Sequence, residues 1–146
     1  MRNLALCIFM LLSIAFSAEA QDGLNVAPFF SDSYAASPNV TIVAMTGDQL
    51  KWEGLRKYKS ISVSDDVALA DKIRQAVSKD GAMAKSKEVS YSDGQLYFGF
   101  YSMGGKKIQR RYLLYLNRRP KGKEKTTLIY IEGDLDEKAV KSLIKQ

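Results

Sequence analysis

The chain of 146 residues contains no histidine and a single cysteine, Cys7. Without histidine it cannot build a Ser-His-Asp or Cys-His nucleophilic site. It also loses the side chain best suited to proton transfer near neutral pH. Zinc sites of the His or Cys type are excluded by the same shortage. Catalysis would fall to Asp, Glu, Lys, Ser or Tyr, and no arrangement of these amounts to a reaction motif. The composition points away from an enzyme and implies no cofactor. A hydrolase working through carboxylates or lysine is the alternative. Long apolar runs are missing too. The stretch from Leu4 to Phe16 is too short to span a bilayer, and no later segment is apolar enough to do so.

That stretch gives the chain an address. Arg2 is the only charge ahead of it, and Ala18-Glu19-Ala20 comes after it with the A-x-A pattern of a secretory cleavage site. Residues 1–20 read as a signal peptide cleaved after Ala20, and the mature protein as periplasmic or secreted. Cys7 lies inside the apolar run, ahead of the point where a lipoprotein needs its cysteine. Lipid anchoring is therefore not expected, and the mature chain is left with no thiol and no disulfide. Losing Arg2 and Glu19 removes one charge of each sign, so the net charge stays at +6. This is a basic protein of single-domain size whose stability must come from packing.

Residues 21–39 read as a leader or arm without periodicity, in which Val26, Phe29 and Phe30 offer apolar groups for docking. Residues 40–146 read as one domain. Val40 to Met45 is β-branched and apolar, a buried strand. Thr46-Gly47-Asp48-Gln49 fits a capping box opening a short helix to about Glu53. Lys57 to Val63 alternates as a strand. Ser64 is expected to cap the longest helix, with Asp65 and Asp66 in its first turn. Leu69, Ala70, Ile73, Ala76 and Val77 form its apolar stripe, and Gly81 is expected to close it in a left-handed conformation.

A short strand from Lys87 to Tyr91 leads into the hairpin signal Ser92-Asp93-Gly94. Gln95 to Met103 places Leu96, Phe98 and Phe100 on one face, with Tyr97, Gly99, Tyr101 and Met103 on the other. Lys107 to Asn117 sets Ile108, Arg110, Tyr112, Leu114 and Leu116 against Gln109, Arg111, Leu113 and Tyr115. Thr126 to Glu132 reads as a central strand. Asp134 to Glu137 opens a terminal helix with Leu135, Ala139, Val140, Leu143 and Ile144 on its apolar face. The expected fold is α+β, with an antiparallel or mixed sheet of about five strands and helices packed on one face.

The segments VTIVAMTG, KYKSISV, KEVSYSDGQLYFGFY and LIYIEGDLDEKAVKSLI, in that order, resemble the small secreted Bacteroidetes domains of unknown function. The resemblance runs from about Val40 onward and implies an exported α+β domain. It supplies no catalytic residues.

The conspicuous constellation is basic. Lys106, Lys107, Arg110, Arg111, Arg118, Arg119, Lys121, Lys123 and Lys125 lie between Gly104 and Thr126, with Glu124 the only acid among them. Arg110, Arg111, Tyr115, Arg118, Arg119 and Lys121 are the candidate ligand-binding residues. Arg111 and Tyr115 share a strand face, where a guanidinium and a ring can hold one sugar or headgroup together. The ligand expected is an anionic envelope component: an acidic glycan, a lipid phosphate or an acidic protein surface. Nucleic acid is not expected, since no RNA-binding sheet motif is present. The plainer reading is that these charges solubilise a hairpin and block edge pairing. The clustered aromatics, Tyr97 and Tyr101 among them, read either as a sugar-stacking platform or as ordinary strand packing. The acids at 65–66 and 134–137 are explained by capping rather than by a metal.

Overall fold

A computed structural model describes residues 23–105, 109–118 and 123–145. The signal-peptide segment 1–20 lies outside these residues, as do Lys106, Lys107, Ile108, Arg119 and Lys121. Six strands form one antiparallel sheet: β1 (Val40–Thr46), β2 (Leu55–Ser64), β3 (Ser86–Ser92), β4 (Gln95–Gly104), β5 (Arg110–Arg118) and β6 (Lys125–Gly133), in the order β1-β2-β6-β5-β4-β3. Three helices accompany it: α1 (Asp32–Ala35), α2 (Val67–Gly81) and α3 (Glu137–Lys145). The class is α+β as expected, with six strands in place of about five.

The topology rests on one crossover. β1 and β2 form a hairpin; α2 then carries the chain across the sheet to its far edge, where β3 begins. From β3 the chain returns as a meander, and β6 closes against β2 in a nine-residue register that includes Ile61↔Leu128. β6, read as central from its near-continuous apolar run, lies inside the sheet with partners on both sides.

The helices do not share one face. The α2 stripe Leu69, Ile73, Ala76 and Val77 packs with Ile61, Val63, Leu113, Tyr115, Leu128 and Tyr130. On the opposite face, Leu135 and Val140 of the α3 region pack with Phe100, Tyr112, Leu114 and Ile131. The expectation of helices on one face is corrected for a physical reason. β5 is apolar on both sides, Leu113 and Tyr115 against Tyr112 and Leu114, and each side must leave water. Full burial of one such side chain contributes about 1.5–3 kcal/mol. The Tyr112 hydroxyl donates to the Leu135 carbonyl at 2.6 Å and fixes the entry to α3.

The leader docks. Val26, Phe29 and Phe30 are buried in the α2-side core, and Phe30 packs beside Tyr130. Asp80, near the end of α2, holds them there. Its Oδ1 accepts from the Asn25 backbone N–H and from Asn25 Nδ2, each at 2.8 Å, and its Oδ2 accepts from Val26 N–H at 3.0 Å. The carboxylate is 1% exposed.

Local details differ from expectation where side chains override the chain's own signals. Asp66, not Ser64, caps α2, accepting from Leu69 N–H at 3.0 Å; β2 claims Ser64 as its last residue. The short helix after Thr46 is a single 3-10 turn, Gly47–Gln49, with Thr46 N–H donating to Gln49 Oε1 at 3.4 Å. Gly81 does not adopt a left-handed conformation. A Cβ there would lie 2.4 Å from the Tyr101 ring, and one on Gly99 would lie 2.5 Å from the same ring. Gly81 thus lets α2 approach the sheet.

Candidate functional site

The predicted basic site does not assemble as one cluster. Arg110 and Arg111 stand at the start of β5 and on opposite faces, while Arg118 stands at its end. At about 3.3 Å per residue these ends are roughly 25 Å apart. Arg110 shares the α3 side with Tyr112, whose hydroxyl pKa is raised by burial, and its charge offsets part of that rise. Arg111 shares the α2 side with buried Glu132, its partner in register. Tyr115 is 0% exposed, packed in the α2-side core, so its ring is not available to stack on a ligand beside Arg111. Burial raises the pKa of its hydroxyl, and the nearby Asn117 side chain offsets part of that rise. Of the six candidates, Arg118 alone is described and exposed at the far end of β5; Arg119 and Lys121 lie outside the described residues.

That same end carries a cleft that the sequence pattern does not assemble. It measures about 590 Å³ and is lined by Tyr91, Ser92, Asp93, Gln95, Leu96, Tyr97 and Asn117. Two features of the β3–β4 hairpin build it. The turn is two residues long, closed by the Ser92↔Gln95 pair, and both Asp93 (φ 52) and Gly94 (φ 77) lie left-handed, as a type I′ turn requires. Behind it, the register moves from Ser90↔Phe98 to Tyr91↔Leu96, leaving Tyr97 as an extra, bulged residue. The bulge breaks the alternation. Leu96 packs in the α2-side core while Phe98 and Phe100 face α3, correcting the expectation that all three share a face. It also leaves Tyr97 43% exposed, near Tyr91 at 65%.

A second groove of about 430 Å³ shares Tyr91, Gln95 and Leu96 with the cleft and runs to α2, where Arg74, Gln75, Ser78 and Lys79 line it. Arg74 is engaged with Asp71 and reaches Gln95 Oε1 at 3.5 Å. Across the cleft, Asn117 Nδ2 donates to Glu124 Oε1 at 2.7 Å and to Thr126 Oγ1 at 3.2 Å, which fixes the amide at the cleft wall. Two exposed phenol rings, short polar side chains and flanking cations suit a polyhydroxylated ligand carrying negative charge. Asp93 is the one carboxylate among the described residues lining the cleft. Among the described residues, no group of three Asp or Glu is placed to hold a metal ion. No helix among them is long and apolar enough to cross a membrane.

Fold and cleft together define a small α+β domain with an open antiparallel sheet and an aromatic-polar recess at one sheet end. The model of a family of unknown function, DUF6108, matches residues 13–144, and the chain belongs to that family. No curated protein and no solved structure matches the chain.

Proposed function

We propose that this protein is a non-catalytic module of the bacterial cell envelope, of the Bacteroidetes type that its sequence resembles. In this reading it is exported by residues 1–20 and binds an anionic glycan at the Tyr91–Tyr97 cleft. The observation that carries the reading is the pair of exposed tyrosines in a 590 Å³ recess that adjoins the groove lined by Arg74 and Lys79 of α2. Sugar rings stack on phenol faces through their C–H groups, while Ser92, Gln95 and Asn117 supply hydrogen bonds. Lys79, in the adjoining groove, supplies charge that draws an acidic sugar. The carboxylate hydrolase needs two opposed acids; among the described residues lining the cleft Asp93 is the one acid, and Glu124 nearby is bonded to Asn117.

The test is calorimetric titration of the purified protein with oligouronates and with neutral oligosaccharides of equal length, at low and high salt. Binding of oligouronates that weakens with salt, and that falls at least tenfold in Tyr97→Ala, is the expected result. Tyr97→Ala should melt with the wild type because the side chain is exposed. Equal binding by the variant, or no binding of either sugar class, refutes the reading.

A further inference from the structure

The two edges of the sheet are treated differently. β3, SKEVSYS, carries Lys87 and Glu88 and pairs through a bulge, and its Glu88 and Ser86 are tied to Lys141 and Glu137 of α3. Charge, bulge and cover are the usual means of blocking an edge. β1, VTIVAMT, lacks the charge and the bulge, and the cover it has comes from the four-residue α1. It carries no charge and no proline, and it pairs with β2 without a register shift. Thr41, Val43 and Ala44 are exposed, Val43 at 38%.

The hydrogen-bond phase of β1 defines what this edge offers. Ser64 N–H donates to Asn39 C=O at 3.0 Å, so Asn39↔Ser64 is a hydrogen-bonded pair. Thr41, Val43 and Met45 therefore direct their backbone groups toward β2, and Val40, Ile42, Ala44 and Thr46 direct theirs outward. The outward groups at the two ends are engaged locally. Val40 N–H donates to Ser37 C=O at 3.2 Å, and Thr46 N–H donates to Gln49 Oε1 at 3.4 Å. Ile42 and Ala44 are the two outward residues whose N–H and C=O are both open.

The geometry points to a second copy of this chain as the occupant, with β1 paired antiparallel to its twin about a two-fold axis at Val43. In that register Ile42 of one copy faces Ala44 of the other, twice, and each pair exchanges both bonds. Both groups of Ile42 and of Ala44 are then used, and the terminal Val40–Thr46 pairs, whose N–H groups are engaged locally, are not needed. A register centred on Ile42 calls on the Val40 N–H, and one centred on Ala44 calls on the Thr46 N–H. The absence of charge on β1 fits self-pairing in a protein of net charge +6, because two identical strands meet without like charges opposed. The two sheets join as one, and the Tyr91–Tyr97 clefts fall at its outer ends, on the order of 50 Å apart. That spacing suits a polymeric ligand engaged at two points.

Sedimentation equilibrium of the purified protein tests the contact. A one-strand interface predicts a weak, concentration-dependent monomer–dimer equilibrium. Val43→Lys sets two ammonium groups across the axis and should sediment as a monomer with an unchanged melting temperature. Mixing it with Val43→Glu should restore dimer mass. Ala44→Pro removes an outward N–H without touching the β1–β2 bonds and should dissociate the dimer as well. A wild type that stays monomeric up to about 1 mM overturns the inference. So does a Val43→Lys variant that keeps dimer mass. Neither outcome bears on glycan binding by a single cleft.

Discussion

Replacing Asp80 by Ala should detach the N-terminal segment and cost a large part of the protein's stability. The carboxylate is 1% exposed and accepts three hydrogen bonds, two from backbone N–H groups of Asn25 and Val26. A hydrogen bond to a charged acceptor contributes about 1.5–3 kcal/mol, and a buried donor left without a partner costs about 1–3 kcal/mol. Against this, the variant no longer buries a charge and no longer places an acid in the last turn of a helix, where the macrodipole opposes it by about 0.3–1 kcal/mol. The three bonds are not additive, because they share one anchor. The net loss is about 3 kcal/mol, which lowers the melting temperature of a domain this size by about 10 °C. Asp80→Asn keeps one oxygen but turns an amide N–H toward a donor, and should lose about half as much. Thermal melts give the total, and amide exchange at Val26 reports whether the segment itself is released. An Asp80→Ala variant melting within about 2 °C of wild type refutes the reasoning. Equal protection of Val26 in both proteins refutes it independently.

Stability should fall steeply at high pH. Burial pushes the Tyr101 hydroxyl up to about 12 from its ordinary 10.0 and raises Tyr130 further, where Glu132 adds to the effect. Both groups are neutral in the native state and ionise more readily when unfolded. Their contribution is thus complete below pH 10 and is lost as pH rises toward 12. Alkaline denaturation monitored by tyrosinate absorbance should show ionisation and unfolding together above pH 10; ionisation of all tyrosines at pH 10 in a folded protein would contradict it. Gly81→Ala gains about 1 kcal/mol of helix propensity but drives a Cβ to 2.4 Å from Tyr101. Overpacking costs about 1–3 kcal/mol, so the variant should be net destabilised in urea unfolding. Pairing it with Tyr101→Leu should remove that penalty.

Element types were legible because they rest on period. All six strands and both long helices lie where the apolar spacing places them, and β5 declared its two apolar faces through Tyr112-Leu113-Leu114-Tyr115. Side assignment failed where one residue breaks the period. Nothing in Gln95-Leu96-Tyr97-Phe98 announces that Tyr97 is an extra residue, and without the bulge Leu96 falls on the wrong face. The cap of α2 shifted because Ser64 and Asp66 are both good caps, and strand pairing decided between them. Asp80 did leave a trace. An acid in the last turn of a helix, next to an apolar stripe, opposes the macrodipole and calls for a partner elsewhere. Its partners lie 54 and 55 residues away along the chain, a separation that no local pattern spans.

The basic run illustrates why density along a chain is a poor guide to density in space. Residues 104–126 contain one complete strand, and a strand holds its first and last residues apart by its full length. Arg110 and Arg111 belong to the end of the sheet shared by Lys57 and Glu132; Arg118 belongs to the end shared by the β3–β4 hairpin. The meander β3-β4-β5 brings a turn and a strand end to one rim, so residues from 91 to 97 meet Asn117 there. A bulge that re-aims a side chain at a sheet margin weakens the ladder locally, and here the residue it releases is a tyrosine turned to solvent rather than to the core. The same bulge turns Leu96 into the α2-side core, so packing accounts for the change of register but not for a ring left at the surface. A ligand that stacks on the ring would account for it, and on that ground the recess at Tyr91 and Tyr97, rather than the arginines along β5, is the binding site we propose.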